Sequence, residues 1–337
     1  MRNCFKLILV FSLLVVFPGV ISAGDGTSLK RQYKRPLEIK FPRTARYSPQ
    51  LVTLGKMLFF DTRLSGKNNL NCASCHNPSF GYEVPVKTPI GATLTPLQRQ
   101  APSLLNMAWV SPLFWDGRAD TLEEQAVGPI SHPDEMDGNF NIIVKRLKRS
   151  AEYRKFFRYL FPKTGITREN LLKAIATYER TIVAGWAPFD KWIDGDDTAI
   201  SNSAKRGFVI FNGVGKCASC HQGWNFTDNQ FHDIGLPIKK VDLGRAVQEP
   251  DNPFAKYAFK TPTLRNLTHR APFMHDGSLR SLEEVVDHYI HGVIKRSSTS
   301  PKIRNVPLTA SQKADLLAFL KSLTAERQDV SMPILPN

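Results

Sequence analysis

Long apolar runs, alternating strand patterns and spare cysteines are all scarce in this chain of 337 residues. The longest apolar run, residues 7–20, is too short for an ordinary transmembrane helix. No segment alternates apolar and polar residues strongly enough to predict a strand, so helices are the expected regular structure. Only five cysteines are present, and the two motifs described below use four of them.

Acidic residues are also in the minority, with 30 Asp and Glu against 45 Lys and Arg, and the formal net charge is +15. Such a balance suggests an acidic partner or an anionic surface. Nothing else in the sequence indicates nucleic-acid binding. Several basic residues crowd residues 24–48, and we interpret this segment as a solvated basic N-terminal arm. They are Lys30, Arg31, Lys34, Arg35, Lys40, Arg43 and Arg46.

The five letters CASCH occur twice, at residues 72–76 and 217–221. C-x-x-C-H is the attachment signature of a c-type haem, in which both thiols become thioethers and the histidine binds the iron. The motifs predict two covalent haem c groups, one held by Cys72, Cys75 and His76, the other by Cys217, Cys220 and His221. The alternative is one zinc site built from the four cysteines, which leaves both histidines unexplained.

The first residues resemble a secretory signal. Arg2 and Lys6 supply a positive start, residues 7–20 supply the apolar segment, and Ala23 is a small residue at the expected cleavage point. Cleavage would remove residues 1–23 together with Cys4 and place the mature protein in the periplasm. Export fits covalent haem attachment, which takes place outside the bacterial cytoplasm. The alternative is an uncleaved membrane anchor.

Two similar short helices are expected just before the two motifs, around residues 54–61 and 205–213. This weak repeat predicts two cytochrome c domains, an N-terminal one at 49–190 and a C-terminal one at 191–330. Residues 186–203 are rich in Asp, Gly, Ser and Pro and read as the linker. Capping boxes predict helix starts at Thr121, Ser281 and Thr309.

The ligand opposite each iron separates electron transfer from catalysis. After His76, no histidine follows until His132 and no methionine until Met107, and the loop at 81–100 offers only Tyr82. The first iron is therefore interpreted as open on one side.

These features resemble the bacterial di-haem cytochrome c peroxidases and their MauG-like relatives, from about residue 54 to residue 323. Besides both C-x-x-C-H motifs, the matching stretches are APSLLN at 101–106, FWDGR at 114–118, Gln125, Pro129, Glu135-Met136, TPTLRN at 261–266 and HDG at 275–277. The resemblance implies an all-α fold of two cytochrome c domains facing each other. It also implies a peroxide site at the N-terminal haem and an electron-handling C-terminal haem.

The resemblance further assigns Gln125 and Glu135 to the distal pocket of the first haem and Trp115 to an electron bridge between the haems. Spacing alone would make Gln125 and Glu135 surface or capping groups. A calcium ion is implied near the interface, at Gln100 and the backbone oxygens of Arg270 and Pro272. The usual asparagine is replaced by Gln100, which weakens that site.

Two departures from the peroxidase pattern are informative. Residues 90–92 read Ile-Gly-Ala where reductively activated peroxidases carry a blocking histidine, so the first haem is expected to be open without activation. Tyr289 stands where ordinary peroxidases supply a methionine ligand and MauG-like proteins a tyrosine. The resemblance thus implies that Tyr289 binds the second iron, as in the tyrosine-ligated branch similar to the MbnH proteins. Met274 is the rival ligand, and a packed core tyrosine is the alternative for Tyr289.

We therefore expect a periplasmic di-haem peroxidase or oxidase that uses hydrogen peroxide and acts with a periplasmic protein, either as substrate or as electron donor. One alternative is peroxide removal fed by a small electron-donor protein. Another is a pure electron-transfer cytochrome, in which His132, Met107 or Tyr82 closes the first haem. Gly215 replaces the surface tryptophan of MauG, which disfavours methylamine dehydrogenase as the partner. Four histidines are expected to be ordinary surface or loop groups: His232, His269, His288 and His291.

Overall fold

The computed structural model describes residues 25–43 and 47–337, so the expected signal peptide lies outside the described residues. The helices are α1 Asp25–Gln32, α2 Pro49–Phe59, α3 Leu122–Ser131, α4 Phe140–Leu147, α5 Ala151–Leu160, α6 Arg168–Arg180, α7 Pro188–Ile193, α8 Asn202–Asn212, α9 Leu282–Asp287 and α10 Ala310–Ser322. Within these residues no helix is long and apolar enough to cross a membrane.

The expectation of an all-α fold is wrong. Helices of all types hold 39% of the residues that the structure describes, and strands β1 Phe231–His232 and β2 Phe259–Lys260 form an antiparallel pair. Long irregular segments join α2 to α3 and α8 to α9, interrupted only by short 3-10 turns and by this strand pair. Strands of two residues are too short to show alternation, and irregular segments have no period at all, so neither could be read from the sequence.

Each half of the chain builds an apolar core of its own. One core combines side chains between Leu51 and Ile175, and the other combines Tyr33 with side chains between Phe189 and Leu323. These cores agree with a division near residue 190, and the domain limits at 49–190 and 191–330 stay a prediction.

The repeat before the two motifs is also a repeat of packing. Helix α2 packs on α6, and α8 packs on α10. In the first pair a Cβ on Gly55 would lie 2.0 Å from the carbonyl oxygen of Ala174, and in the second a Cβ on Gly207 would lie 2.0 Å from that of Asp315. Glycine therefore sets the close approach of the helix that precedes each C-x-x-C-H motif.

Replacing Gly55 with alanine is expected to lower the free energy of unfolding by about 1–3 kcal/mol, because the added methyl group overlaps backbone that cannot move aside. This loss exceeds the gain of at most about 1 kcal/mol in helix propensity. Denaturant unfolding of the holoprotein would measure it. Thr53→Ala, at an exposed position of the same helix, is the control and should change stability by about 0.5 kcal/mol or less. Equal stabilities of the two variants would contradict the close-packing argument.

The N-terminal arm is only partly solvated, which corrects the sequence interpretation. Tyr33 is 2% exposed, and its hydroxyl donates to Asn212 Oδ1 at 2.6 Å. Arg35 donates to the carbonyl oxygens of Ala184 and Gly185 and pairs with Asp190. Lys34, between them, keeps 65% of its side chain exposed. The aromatic ring of Tyr33 anchors the arm to the C-terminal core, a contact that a count of charges does not predict.

Candidate haem sites

The first C-x-x-C-H motif is a tight turn fixed to the end of α2. Asn71 caps it by accepting from the backbone N–H of Ser74 at 3.1 Å and donating from Nδ2 to the carbonyl oxygen of Phe60 at 2.8 Å. The N–H of His76 donates to the carbonyl oxygen of Cys72 at 2.9 Å, which folds the histidine back over the turn. Both thiols and the imidazole therefore leave one short turn.

The two motif histidines have matching hydrogen bonds. His76 Nδ1 lies 3.1 Å from the carbonyl oxygen of Tyr82, and His221 Nδ1 lies 3.0 Å from that of Phe226. A carbonyl accepts only from a protonated nitrogen, so Nδ1 carries the proton and Nε2 keeps its lone pair. Burial lowers the pKa of His76 to about 4 and also lowers that of His221, so both rings are neutral. A neutral imidazole with a free Nε2 is the form that binds iron.

A cavity of about 190 Å³ adjoins the second motif. All three motif residues line it, namely Cys217, Cys220 and His221, and its other walls are largely apolar. The thiols are not in a disulfide, and burial raises the pKa of Cys217 to about 12, so the thiol of Cys217 is neutral. Free thiols, a ligand-ready imidazole and apolar walls together fit a covalent haem c.

Tyr289, which lies far from the second motif in the sequence, lines the same cavity. It lies in a π-helical turn, His288–Gly292, that directly continues α9. Burial, with smaller contributions from Cys220 and Cys217, raises the pKa of its phenol. Such turns occur often at functional sites, since they shift the side-chain register of a helix. The structure thus brings Tyr289 together with the second motif. Met274 lines this cavity as well, so it stays the rival ligand.

His275 and Trp115 lie side by side at the edge of this cavity. The His275 ring stacks on Phe259 with a centroid separation of 3.5 Å and meets Trp115 edge to face at 6.5 Å. Trp115 donates from Nε1 to the carbonyl oxygen of Gln100 at 2.8 Å. It also lines a smaller cavity of about 50 Å³ that contains Pro102 and Met107 in its wall. Trp115 therefore stands between the C-terminal cavity and the N-terminal half of the chain.

Glu135 lies on the first-motif side of the molecule. Its carboxylate is close enough to Cys75 to raise the pKa of that thiol, although burial is the larger cause. Burial also raises the pKa of Glu135 itself, against the opposing charges of His132 and Arg118. Gln125 lies half-buried on α3. The places of Glu135 and Gln125 in a distal pocket stay predictions.

The loop after the first motif holds the backbone of Glu135. The N–H of Ala92 donates to the carbonyl oxygens of Glu135, at 2.8 Å, and Asp134, at 3.1 Å. A Cβ on Gly91 would lie 1.8 Å from the carbonyl oxygen of Asp134. Residues 90–92 therefore hold the backbone from which the Glu135 side chain extends. In the sequence this segment is informative only for the histidine that it lacks. Its contact with the backbone of Glu135 was not predicted.

Two of the three rival ligands for the first iron are already engaged. The carbonyl oxygen of Tyr82 accepts from His76, and its phenol bonds to Tyr178. His132 is exposed, and its Nδ1 accepts from the N–H of Asp134 at 3.2 Å. Met107 lines the smaller cavity. These placements disfavour Tyr82 and His132 as the ligand that closes the first site.

The side chains of two residues expected near calcium, Gln100 and Arg270, already have other partners. Gln100 is buried, its Nε2 donates to the carbonyl oxygen of Val84 at 3.2 Å, and its Oε1 accepts from the N–H of Ala101 at 3.2 Å. The guanidinium of Arg270 pairs with Glu83 at 2.8 Å. Pro272 follows a cis peptide bond. A calcium ion at Gln100, Arg270 and Pro272 stays a prediction.

Two histidines expected at the surface are buried, which corrects that expectation. His232, on β1, is 9% exposed and bonds Asp228 Oδ2 at 2.9 Å through Nε2 and Ser300 Oγ at 3.1 Å through Nδ1. His288 is 7% exposed, and its Nε2 bonds the carbonyl oxygen of Ile234 at 3.0 Å. Ser300 and Ile234 come from distant segments. Only Asp228, four residues before His232, was a signal in the sequence.

Two C-x-x-C-H turns, each following a helix of its own half of the chain and each with a histidine whose Nε2 is free to bind iron, define a di-haem c-type protein. The family model for di-haem cytochrome c peroxidase matches residues 49–198. The chain is 45% identical to the methylamine utilization protein MauG of Methylorubrum extorquens, with 94% of this chain and 90% of that protein covered. It is 34% identical to the cytochrome c551 peroxidase of Nitrosomonas europaea, with 98% and 96% covered.

A solved structure of a MauG-like protein associated with microbial copper homeostasis matches with a TM-score of 0.80 and 31% identity, covering 87% of this chain and 94% of that one. The chain belongs to the family of di-haem cytochrome c peroxidases and MauG-like proteins. It is a haem peroxidase of the oxidoreductase class with two haem c groups.

Proposed function

We propose that this protein is a periplasmic peroxidase that uses hydrogen peroxide at the N-terminal haem and draws electrons from a partner protein through the C-terminal haem. The asymmetry of the two sites carries the proposal. Tyr289 and His221 line the same C-terminal cavity, whereas Glu135, an acid with a raised pKa, lies near the first motif. One site is thus suited to a closed iron and the other to proton transfer.

The haem groups supply iron that peroxide can bind and oxidise. The chain supplies the proton transfer. Glu135 takes the proton from one peroxide oxygen and returns it to the other, which leaves as water. Its raised pKa favours this exchange, since a carboxyl group that titrates nearer to neutral both accepts and donates. The amide of Gln125 donates a hydrogen bond to peroxide and holds it in place.

The chain also supplies a route for electrons between its halves. Trp115 lies in the wall of the C-terminal cavity, and its backbone carbonyl accepts from the N–H of Lys260 at 2.8 Å. Its indole N–H is bonded to Gln100 on the N-terminal side. Because its backbone carbonyl and its indole N–H are both hydrogen-bonded, Trp115 keeps one position, as an electron bridge between two haems requires.

The electrons come from a partner protein, and the relatives favour oxidation of a residue in that partner. The 45% identity to a methylamine utilization protein supports this reading over peroxide removal alone, despite Gly215 at the position of the MauG surface tryptophan. Peroxide removal with a small donor protein is the second candidate, supported by 34% identity to a cytochrome c551 peroxidase. The excess of basic residues favours an acidic partner in either case.

The proposal includes a signal peptide at 1–23, domains at 49–190 and 191–330, and periplasmic location. An electron paramagnetic resonance spectrum of the oxidised holoprotein, before and after stoichiometric hydrogen peroxide without reductant, tests the central claim. We expect one high-spin and one low-spin haem signal, both lost on addition of peroxide. Two low-spin signals that persist until the protein is reduced would contradict an open first site.

A further inference from the structure

Lys260 occupies the wall shared by the two cavities. Its side chain lines both the C-terminal cavity and the smaller cavity beside Trp115. Strand β2 fixes its backbone through the bond to Trp115, and the neighbouring Phe259 stacks on His275. The ammonium group donates to the carbonyl oxygen of Pro112 at 2.8 Å. It therefore lies between the two halves of the chain with one hydrogen bond recorded for its three N–H groups.

No carboxylate lies within ion-pair distance of this ammonium group in residues 25–43 and 47–337. The acids nearest in the fold are engaged elsewhere: Asp116 pairs with Arg99 and Arg118, and Glu83 pairs with Arg270. Burial alone lowers the pKa of Lys260 to about 7, with no acid opposing it. A buried cation without a counter-charge is costly, and such groups are normally paired.

The two cavities differ in what they offer to a ligand. In the smaller one, Asn229 presents a buried Oδ1 that accepts no hydrogen bond, so an anion there would face an acceptor oxygen. The C-terminal cavity has apolar walls, the second C-x-x-C-H motif and Lys260 at its edge. A planar apolar group with a carboxylate at its rim fits that arrangement, and haem c carries two propionate carboxylates.

We propose that Lys260 anchors a carboxylate in the C-terminal cavity and that this carboxylate is a propionate of the C-terminal haem. The inference rests on the assignment of that cavity to a haem in the proposed function. Arg270 lines both cavities too, but Glu83 already neutralises it. The other cations in the wall of the C-terminal cavity, Lys216, Lys302 and Arg304, are exposed, so water offsets their charge, whereas burial lowers the pKa of Lys260. A positive charge at the rim stabilises the reduced haem, which has one positive charge fewer, so Lys260 raises the reduction potential of the C-terminal haem.

The test compares Lys260→Met with Lys260→Arg in the holoprotein. Lys256→Met, at an exposed position four residues before Lys260, serves as the control. Haem content is measured first, since two haems per chain test the assignment of the cavity to a haem independently of Lys260. Spectroelectrochemical titration then follows each haem separately. We expect a lower midpoint potential for the C-terminal haem in Lys260→Met, a value near that of the unmodified protein in Lys260→Arg, and no shift in Lys256→Met.

An unchanged C-terminal potential in Lys260→Met would overturn the inference, as would a shift confined to the N-terminal haem. Repeating the titration of the unmodified protein with and without acetate separates a propionate from a free carboxylate. A potential that depends on acetate would overturn the propionate assignment. Fewer than two haems in the unmodified protein would instead contradict the proposed function.

A second measurement needs no substitution and covers the case in which Lys260→Met fails to fold. The propionate carboxylates are labelled with ¹³C, and the infrared spectrum of the unlabelled holoprotein is subtracted from that of the labelled one. The remaining bands report the protonation of the propionates. An ammonium partner keeps a buried propionate ionised, so we expect the labelled band in the carboxylate range in both redox states. A band at the position of a protonated carboxylic acid for both C-terminal propionates would overturn the inference.

Discussion

Replacing Glu135 with glutamine is expected to lower the rate of peroxide consumption by about 10²- to 10⁴-fold, the usual contribution of a general acid and base. Glutamine keeps the shape and the hydrogen-bonding capacity of the side chain but cannot carry a proton from one peroxide oxygen to the other. Steady-state turnover with a chemical electron donor measures the loss. Asp134→Asn, at the adjacent exposed acid, is the matched control and should retain most of the activity.

The pH dependence of the rate gives the same prediction a second readout. Burial raises the pKa of Glu135, and the proton must first be accepted by the carboxylate. Activity should therefore fall as the pH drops through this raised pKa, at a higher pH than for an ordinary glutamate, and this acidic limb should vanish in Glu135→Gln. If Glu135→Gln keeps a rate within about threefold of that of the unmodified enzyme, the loss is far smaller than the contribution of a general acid and base. That result would contradict a role for Glu135 in the mechanism.

Replacing Tyr289 with phenylalanine is expected to raise the reduction potential of the C-terminal haem by on the order of 0.1 V or more, because axial ligands spread haem potentials over about 0.8 V. An anionic phenolate oxygen favours the oxidised iron, and its loss removes that preference. The low-spin signal of the oxidised protein should change at the same time. Redox titration and paramagnetic resonance of the holoprotein measure the two effects.

Two further variants control for the loss of a phenol and test the rival ligand. Tyr159→Phe, at a residue of α5 that is 70% exposed, controls for the loss of a phenol and should leave both signals unchanged. Met274→Leu tests the rival ligand in the same cavity. If Met274→Leu changes the low-spin signal and Tyr289→Phe does not, the methionine is the ligand and Tyr289 is a packed core residue.

Local features of this protein were open to prediction because neighbouring residues create them. Thr121 and Thr309 begin α3 and α10 with the expected capping boxes, and Ser281 caps α9. Each box needs only a side chain and a backbone N–H three residues apart. The two C-x-x-C-H turns are local in the same sense. Their haem chemistry follows from five consecutive residues and was predicted before any contact was known.

Features made by distant segments were not open to prediction. The burial of His232 depends on Ser300, the docking of the N-terminal arm depends on Asn212 meeting Tyr33, and the support of Glu135 depends on Ala92. A charged or polar residue shows no signal of burial until its partner is known, because the partner offsets the cost of removing it from water. The sequence therefore predicted His232 and the N-terminal arm at the surface.

The sequence by itself indicated two covalent haem groups, since thiols and imidazole at fixed spacing specify that chemistry, and it predicts the motif histidines as the iron ligands. Only the tertiary structure decided that Tyr289 and His221 line one cavity, and that Lys260 lines two. Tyr289 and His221, like Lys260 and Trp115, are more than 30 positions apart in the sequence, and only the packing of helices and loops brings them together.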